Sequence, residues 1–201
     1  SDLKIYVAGH NGMVGKSLLK KLNKEKYTNL LYESSSSLDL RNQNSVQSFF
    51  KKNQPEYVFL AAAKVGGIFA NNQYPADFIL ENIKIQTNVI DASFDNNIKK
   101  FLFLGSSCIY PKYANQPIKE EYLLSGSLES SNDSYAIAKI AGIKLCEAMR
   151  VQYDFDALCL MPTNLYGPGD NYSNEGSHVM ASLIKKFILA KRNKLTKVVC
   201  W

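Results

Sequence analysis

The chain has only two histidines, His10 and His178, and its four cysteines, Cys108, Cys146, Cys159 and Cys200, are spaced too widely for a CxxC pair. Two imidazoles and scattered thiols leave little from which to build a zinc site, and no metal is expected. No apolar run approaches the roughly 20 residues that a membrane-spanning helix needs, so no membrane partner is expected. Zinc-finger spacing and RNP-type aromatic motifs are both missing, and there is no internal repeat. The single low-complexity stretch, "SSSS" at 34–37, reads as a loop. The first residues, "SDLKIYVAG", enter an apolar run at once and leave no room for a leader, so a cytoplasmic location with free thiols is the expectation.

Acidic residues are outnumbered 18 to 24 by Lys and Arg, which gives a formal charge of +6. The excess is local. Lys185, Lys186, Lys191, Arg192, Lys194 and Lys197 carry all of it within one C-terminal segment that contains no acid. A basic stripe confined to one helix is a solvated face in most proteins, and nucleic acid is not expected as a partner.

What the chain does contain is an alternation of short apolar runs and longer segments of helical period. "LKIYVAG", "NLLYES", "YVFLAAA", "KKFLFLGSS" and "ALCLMPTNLYG" read as five strands. Between them, "MVGKSLLKKLNK" repeats apolar residues at Val14, Leu18, Leu19 and Leu22, and "NSVQSFFKK" puts Val46, Phe49 and Phe50 on one helix face. Long helices are expected from about Tyr74 to Asn96, over "SYAIAKIAGIKLCEAMRVQY" and over "HVMASLIKKFILAKR". Strands alternating with helices predict an α/β fold, a doubly wound parallel sheet of Rossmann type. The strands are continuously apolar, as strands buried on both faces should be. The expected division is a dinucleotide-binding domain over 1–165 and the start of a substrate-binding part over 166–201. The closing "KVVCW" has the composition of one more strand, so an incomplete C-terminus is expected.

Three groups of residues could carry chemistry. "GHNGMVG" spaces Gly9, Gly12 and Gly15 as G-x-x-G-x-x-G between the first strand and the first helix. There, glycines let the backbone approach a pyrophosphate and the helix N-terminus supplies N–H donors to it. Tyr135 and Lys139 stand four apart on one helix, where an ammonium can favour a phenolate and bring a tyrosine into acid/base range. Ser106 leaves the C-terminal end of a strand, the edge where open α/β sheets place ligands, and could hold a substrate carbonyl oxygen that Tyr135 protonates. Taken alone, Cys108 reads as a small buried hydrophobe and His178 as a helix-capping residue. Cys146 and Cys159 read as core.

Together, the strings "AGHNGMVG", "LAAAKVGGI", "ANNQYPADFI", "LFLGSSCIYPK", "YAIAKIAGIKLCE", "MPTNLYGPGDN" and "SHV" resemble the extended short-chain dehydrogenase/reductases. Within them the likeness is to the branch that epimerises and reduces a GDP-linked 4-keto-6-deoxy sugar. It covers this whole chain but only about the first two thirds of such an enzyme. It implies an NADP-dependent enzyme, a GDP-sugar substrate and a homodimer paired through the helices at 74–96 and 135–153. It implies catalytic roles for Ser106, Tyr135 and Lys139 in reduction, and for Cys108 as base and His178 as acid in epimerisation. A thiolate is favoured beside cations or helix dipoles, and imidazole titrates near neutrality, so both roles are chemically reasonable.

The resemblance places the cofactor against Gly9, His10, Asn11, Gly12, Met13, Val14 and Gly15, then Leu104, Gly105, Ser106, Ser107, Lys139, Pro162, Thr163, Asn164, Leu165 and His178. It places the GDP-sugar against Lys186 and Trp201. One departure bears on the cofactor. NADP-binding members carry basic residues in the glycine turn and after the second strand, where this chain has Asn11, Glu33 and four serines. NAD therefore competes with NADP. Two other readings stay open: a different NAD(P)-dependent nucleotide-sugar epimerase or dehydratase, and a non-catalytic dinucleotide sensor or scaffold.

Overall fold

Ile5–Ala8 forms the first strand, β1, and all four of its residues are buried. In the computed structural model, which describes residues 2–173 and 177–200, this strand lies second in a five-stranded parallel sheet. The elements follow as α1 (Met13–Lys24), β2 (Leu30–Leu31), α2 (Gln43–Asn53), β3 (Tyr57–Leu60), α3 (Ile68–Gln73) and α4 (Pro75–Asp95). After them come β4 (Lys100–Leu104), α5 (Asp133–Tyr153), β5 (Ala157–Leu160) and α6 (Val179–Arg192). Short 3₁₀ turns occupy Ser107–Ile109 and Glu120–Tyr122.

The sheet order is β2-β1-β3-β4-β5, with Ile5 beside Tyr57, Tyr57 beside Lys100 and Phe101 beside Ala157. The chain leaves β1 toward one edge and returns past it toward the other. The crevice between β1 and β3, at their carboxyl ends, is therefore the topological switch point at which such sheets bind ligands.

Helices α2, α4 and α5 pack side by side, with α4 and α5 in the longest contact. Their core is built from Tyr6, Val58, Leu60, Phe101 and Phe103 of the sheet, with Val46, Phe50, Val89, Ile90, Ile140 and Ile143 of the helices. Burying each of these side chains contributes about 1.5–3 kcal/mol. Pro75 at the first turn and Asp77 just after it suit the start of α4, because proline needs no N–H partner there and a carboxylate favours the positive end of the helix. Asp154, with φ +56°, ends α5 in the left-handed region.

Three expectations change. Not every strand is buried on both faces: β1 is, but Leu158 and Leu160 of β5 are 44% and 42% exposed, because among the described residues α5 covers one face of β5 and nothing comparable covers the other. The second strand shrinks to two residues, since only Leu30 and Leu31 pair with β1. Lys197–Cys200 forms no strand among the described residues. Cys146 is buried in the core, Cys159 packs against it, and all four cysteines are free thiols. No helix among the described residues is long and apolar enough to cross a membrane.

Candidate active site

The turn after β1 is built by close approach. Gly9 has φ +87°, and a Cβ there would stand 2.5 Å from the Ala62 nitrogen beyond β3. A Cβ on Gly15 would stand 2.2 Å from the Gly9 carbonyl oxygen. Only glycine lets the turn press against the neighbouring strand's loop while α1 begins immediately behind it. The Gly12 N–H bonds the Gly9 oxygen at 3.0 Å and the Lys16 N–H bonds the Gly12 oxygen at 2.9 Å. The N–H groups of Met13, Val14 and Gly15 therefore lie before the first intrahelical bond and are available to an anion. No acidic side chain occupies the first turn of α1.

The carboxyl ends of β1, β3, β4 and β5 open together into one cavity of about 560 Å³. Gly9, Gly12, Met13 and Val14 line one side of it, and Ala61, Ala62 and Ala63 follow from β3. Leu104, Gly105 and Ser106 come from β4, Pro162 to Leu165 from β5, Tyr135 and Lys139 from α5, and His178 from the start of α6. A backbone cradle for a pyrophosphate, apolar walls and a polar end fit a dinucleotide.

At the polar end, the Ser107–Ile109 turn packs on α5 and brings three groups together. The Cys108 thiol donates to Ser106 Oγ at 3.1 Å, and Ser106 and Tyr135 both line the cavity, whereas Cys108 stands behind the lining. The Lys139 ammonium donates to the Leu104 carbonyl at 2.8 Å and lies 5.0 Å from the centre of the Phe103 ring and 5.7 Å from that of Tyr135. The Phe78 ring meets Tyr135 edge-on at 6.5 Å.

Electrostatics here run against the simple expectation. Burial pushes the Tyr135 phenol well above its ordinary range and the Cys108 charge adds to this, while the Ser106 hydrogen bond opposes it. The Lys139 ammonium is turned to the Leu104 carbonyl and is itself pushed down to about 8 by burial. Burial likewise raises the Cys108 thiol, against the pull of Ser106 and Lys139. Desolvation outweighs the nearby cation, so both the phenol and the thiol hold their protons at neutral pH. The tyrosine is set as a proton donor rather than as a phenolate.

Other residues suggested by sequence lie elsewhere. Gly15 supports the turn from behind. Asn11 is exposed. The His10 ring packs on Tyr32 at 4.9 Å, with its Nδ1 buried and unpartnered among the described residues. The Ser107 N–H bonds the Pro162 oxygen at 3.2 Å and ties the β4 and β5 loops together. Lys186 donates to the Val199 carbonyl at 3.0 Å and does not line the cavity. Trp201 lies outside the described residues.

Sequence reasoning missed the residues that shape the β3 side. Buried Asn82 accepts from the Lys64 N–H at 2.9 Å and donates to the Lys64 carbonyl at 2.9 Å and the Phe78 carbonyl at 2.7 Å. It pins the loop whose Val65 and Gly66 line the cavity. Asn71, also buried, donates to the carbonyls of Gly66 and Gly67 and lines the same wall. A signal was present: Phe78, Asn82 and Gln86 recur every four residues on α4, so two amides sit in a stripe that is otherwise buried and apolar.

A doubly wound parallel sheet with a glycine turn at its switch point and a Ser–Tyr–Lys set at the same edge defines a dinucleotide-binding protein of the Rossmann class. The chain belongs to the NAD dependent epimerase/dehydratase family, whose model matches residues 5–201. It is 57% identical over 198 residues to GDP-L-fucose synthase 1 of Arabidopsis thaliana, a match covering 98% of this chain and 61% of that protein. The chain thus spans 61% of the length of that curated relative. Among solved structures it is similar to a GDP-L-fucose synthetase from Naegleria fowleri bound to NADP, at 32% identity and a TM-score of 0.87, covering 100% of this chain and 66% of that one. It is also similar to a GDP-mannoheptose C4 reductase from Campylobacter jejuni with NADP bound, at 45% identity and a TM-score of 0.89, covering 97% of this chain and 59% of that one.

Proposed function

We propose that this chain is the cofactor-binding part of an epimerase-reductase that converts GDP-4-keto-6-deoxy-D-mannose into GDP-L-fucose with NADPH. The observation that carries the reading is that Ser106, whose Oγ accepts from the Cys108 thiol at 3.1 Å, lines one end of a cavity together with Tyr135, Lys139 and His178. The names and bound NADP of the relatives support it.

In this reading, the carbons on either side of the sugar ketone invert first. At each carbon in turn the Cys108 thiolate removes a proton and His178 delivers one to the opposite face, both groups exchanging protons with solvent between the two inversions. Ser106 then holds the ketone oxygen while Tyr135 donates its proton to it, and the Lys139 ammonium, 5.7 Å from the ring, offsets the negative charge left on the phenolate. The reduced nicotinamide, when bound, supplies the hydride. The Gly9–Gly15 turn holds the pyrophosphate on backbone N–H groups. Residues 1–165 form the cofactor domain and 166–201 begin the substrate part, in which Lys186 and Trp201 contact the GDP-sugar. Exposed Leu80, Ile137, Val151 and Tyr153 on α4 and α5 support pairing of two copies through these helices.

The heptose C4 reductase favours a second reading, reduction of a GDP-4-keto sugar without inversion. Deuterium exchange decides between them. With keto sugar in heavy water, the full-length enzyme should wash deuterium into C3 and C5, and Cys108→Ser should not. Absence of exchange in the wild type sinks the epimerase assignment and leaves a reductase, and exchange that persists in Cys108→Ser removes Cys108 as the base.

A further inference from the structure

The adenosine side of the cavity is short of positive charge. Lys139 is the one Lys or Arg among the described residues lining it, and it sits at the catalytic end, bonded to Leu104. On the side next to β2 the lining residues are Ser35 and Leu40. Two basic side chains next to lining residues, Arg41 beside Leu40 and Lys64 beside Val65, are already matched by acids. Arg41 forks onto Asp39 at 2.9 Å and reaches Glu81 at 3.2 Å, while Lys64 bonds Glu81 at 2.6 Å and Asp77 at 3.4 Å.

Glu33 stands two residues beyond β2 and 24 beyond Gly9, exposed at the carboxyl edge of the sheet beside the loop of Ser35. In this fold an acid at that place accepts from the ribose 2′-hydroxyl of NAD, whereas a 2′-phosphate calls for an arginine. The serine loop offers neutral partners: Ser34 Oγ bonds Ser36 Oγ at 2.7 Å and Ser37 Oγ at 3.1 Å, and Ser35 projects to the cavity. A hydroxyl can donate to a phosphate or accept from a ribose hydroxyl, and so does not discriminate between them.

We infer that this site, if it is the dinucleotide site proposed above, scarcely selects for the 2′-phosphate and takes NADH nearly as well as NADPH, with Glu33 and Ser35 setting the balance. Withholding a charge-assisted hydrogen bond forfeits about ten- to hundredfold of NADPH affinity. Glu33 repels a phosphate by a further factor of up to about ten at solvent-screened separations.

The test is fluorescence titration of the cofactor-free full chain with each reduced dinucleotide. The dissociation constants should agree within about tenfold. Ser35→Arg should tighten NADPH by about ten- to hundredfold and leave NADH nearly unchanged, while Glu33→Gln should weaken NADH severalfold. Both positions are exposed, and thermal melts would register any loss of fold; Ser35→Lys serves if Ser35→Arg melts early. A preference for NADPH of about a hundredfold or more overturns the inference while leaving the dinucleotide reading intact, as do Ser35 variants that leave NADPH binding unmoved. Failure to bind either dinucleotide overturns both.

Discussion

Replacing Lys139 by methionine should change how stability depends on pH. The side chain is 4% exposed and its ammonium is pushed down to about 8 by burial, from an ordinary 10.5. That gap corresponds to about 3 kcal/mol that the folded state loses at neutral pH by keeping the charge inside. Between the two values the unfolded chain binds the proton that the folded chain has released, so this contribution to stability rises with pH. A thioether in place of the ammonium would not titrate. It would also forgo the 2.8 Å bond to the Leu104 carbonyl, worth about 1.5–3 kcal/mol, so the two chains should be similarly stable at neutral pH. From about pH 7.5 to about pH 9.5 the wild type should gain about 2 kcal/mol on Lys139→Met. The raised phenol of Tyr135 and thiol of Cys108 lower stability as pH rises, because the folded state keeps protons that the unfolded chain loses. Both groups are present in both chains, so they largely cancel in the difference. Urea denaturation of each protein at matched pH values gives that difference directly. A flat difference across the window would refute the claim that burial dominates at Lys139.

Three further outcomes follow from the same geometry. Tyr135→Phe should slow reduction of the keto sugar by about 10²–10⁴ while the dinucleotide dissociation constant stays put; turnover within tenfold of wild type would remove Tyr135 as the proton donor. Asn82→Ala strips both polar groups of the Lys64 peptide of their partner and should lower unfolding free energy by about 2–4 kcal/mol in urea, with a smaller loss showing that the loop finds other partners. Gly15→Ala would set a methyl 2.2 Å from the Gly9 oxygen and 2.6 Å from the His10 Cα, both backbone atoms that cannot swing aside. It should cost about 1–3 kcal/mol in stability and weaken dinucleotide binding markedly in a fluorescence titration; unchanged binding would show that the turn does not hold the cofactor.

Much of the architecture was legible in the amino-acid order. The run "MVGKSLLKKLNK" carries its helix as a period, and α1 occupies those residues; the helix expected from about Tyr74 to Asn96 is α4, Pro75–Asp95. The glycine turn was legible because its cause is local: a Cβ at Gly9 or Gly15 collides with neighbouring backbone. Helix α3 was missed because six residues are too few to display a period.

What escaped the sequence was whatever depends on segments meeting across a long separation. Tyr135 and Lys139, four apart on one helix, suggest a lowered phenol; the fold raises it, because the ring is buried, with Phe78 against it, and Lys139 turns to the carbonyl of a strand residue 35 positions away. Asn82 reads as a misplaced polar residue until the Lys64 peptide arrives to use both its atoms. Local sterics and periodicity are properties of neighbours in the chain and survive in one dimension. Desolvation and hydrogen-bond partnership depend on which distant surfaces exclude water together, and these only the packed structure decided.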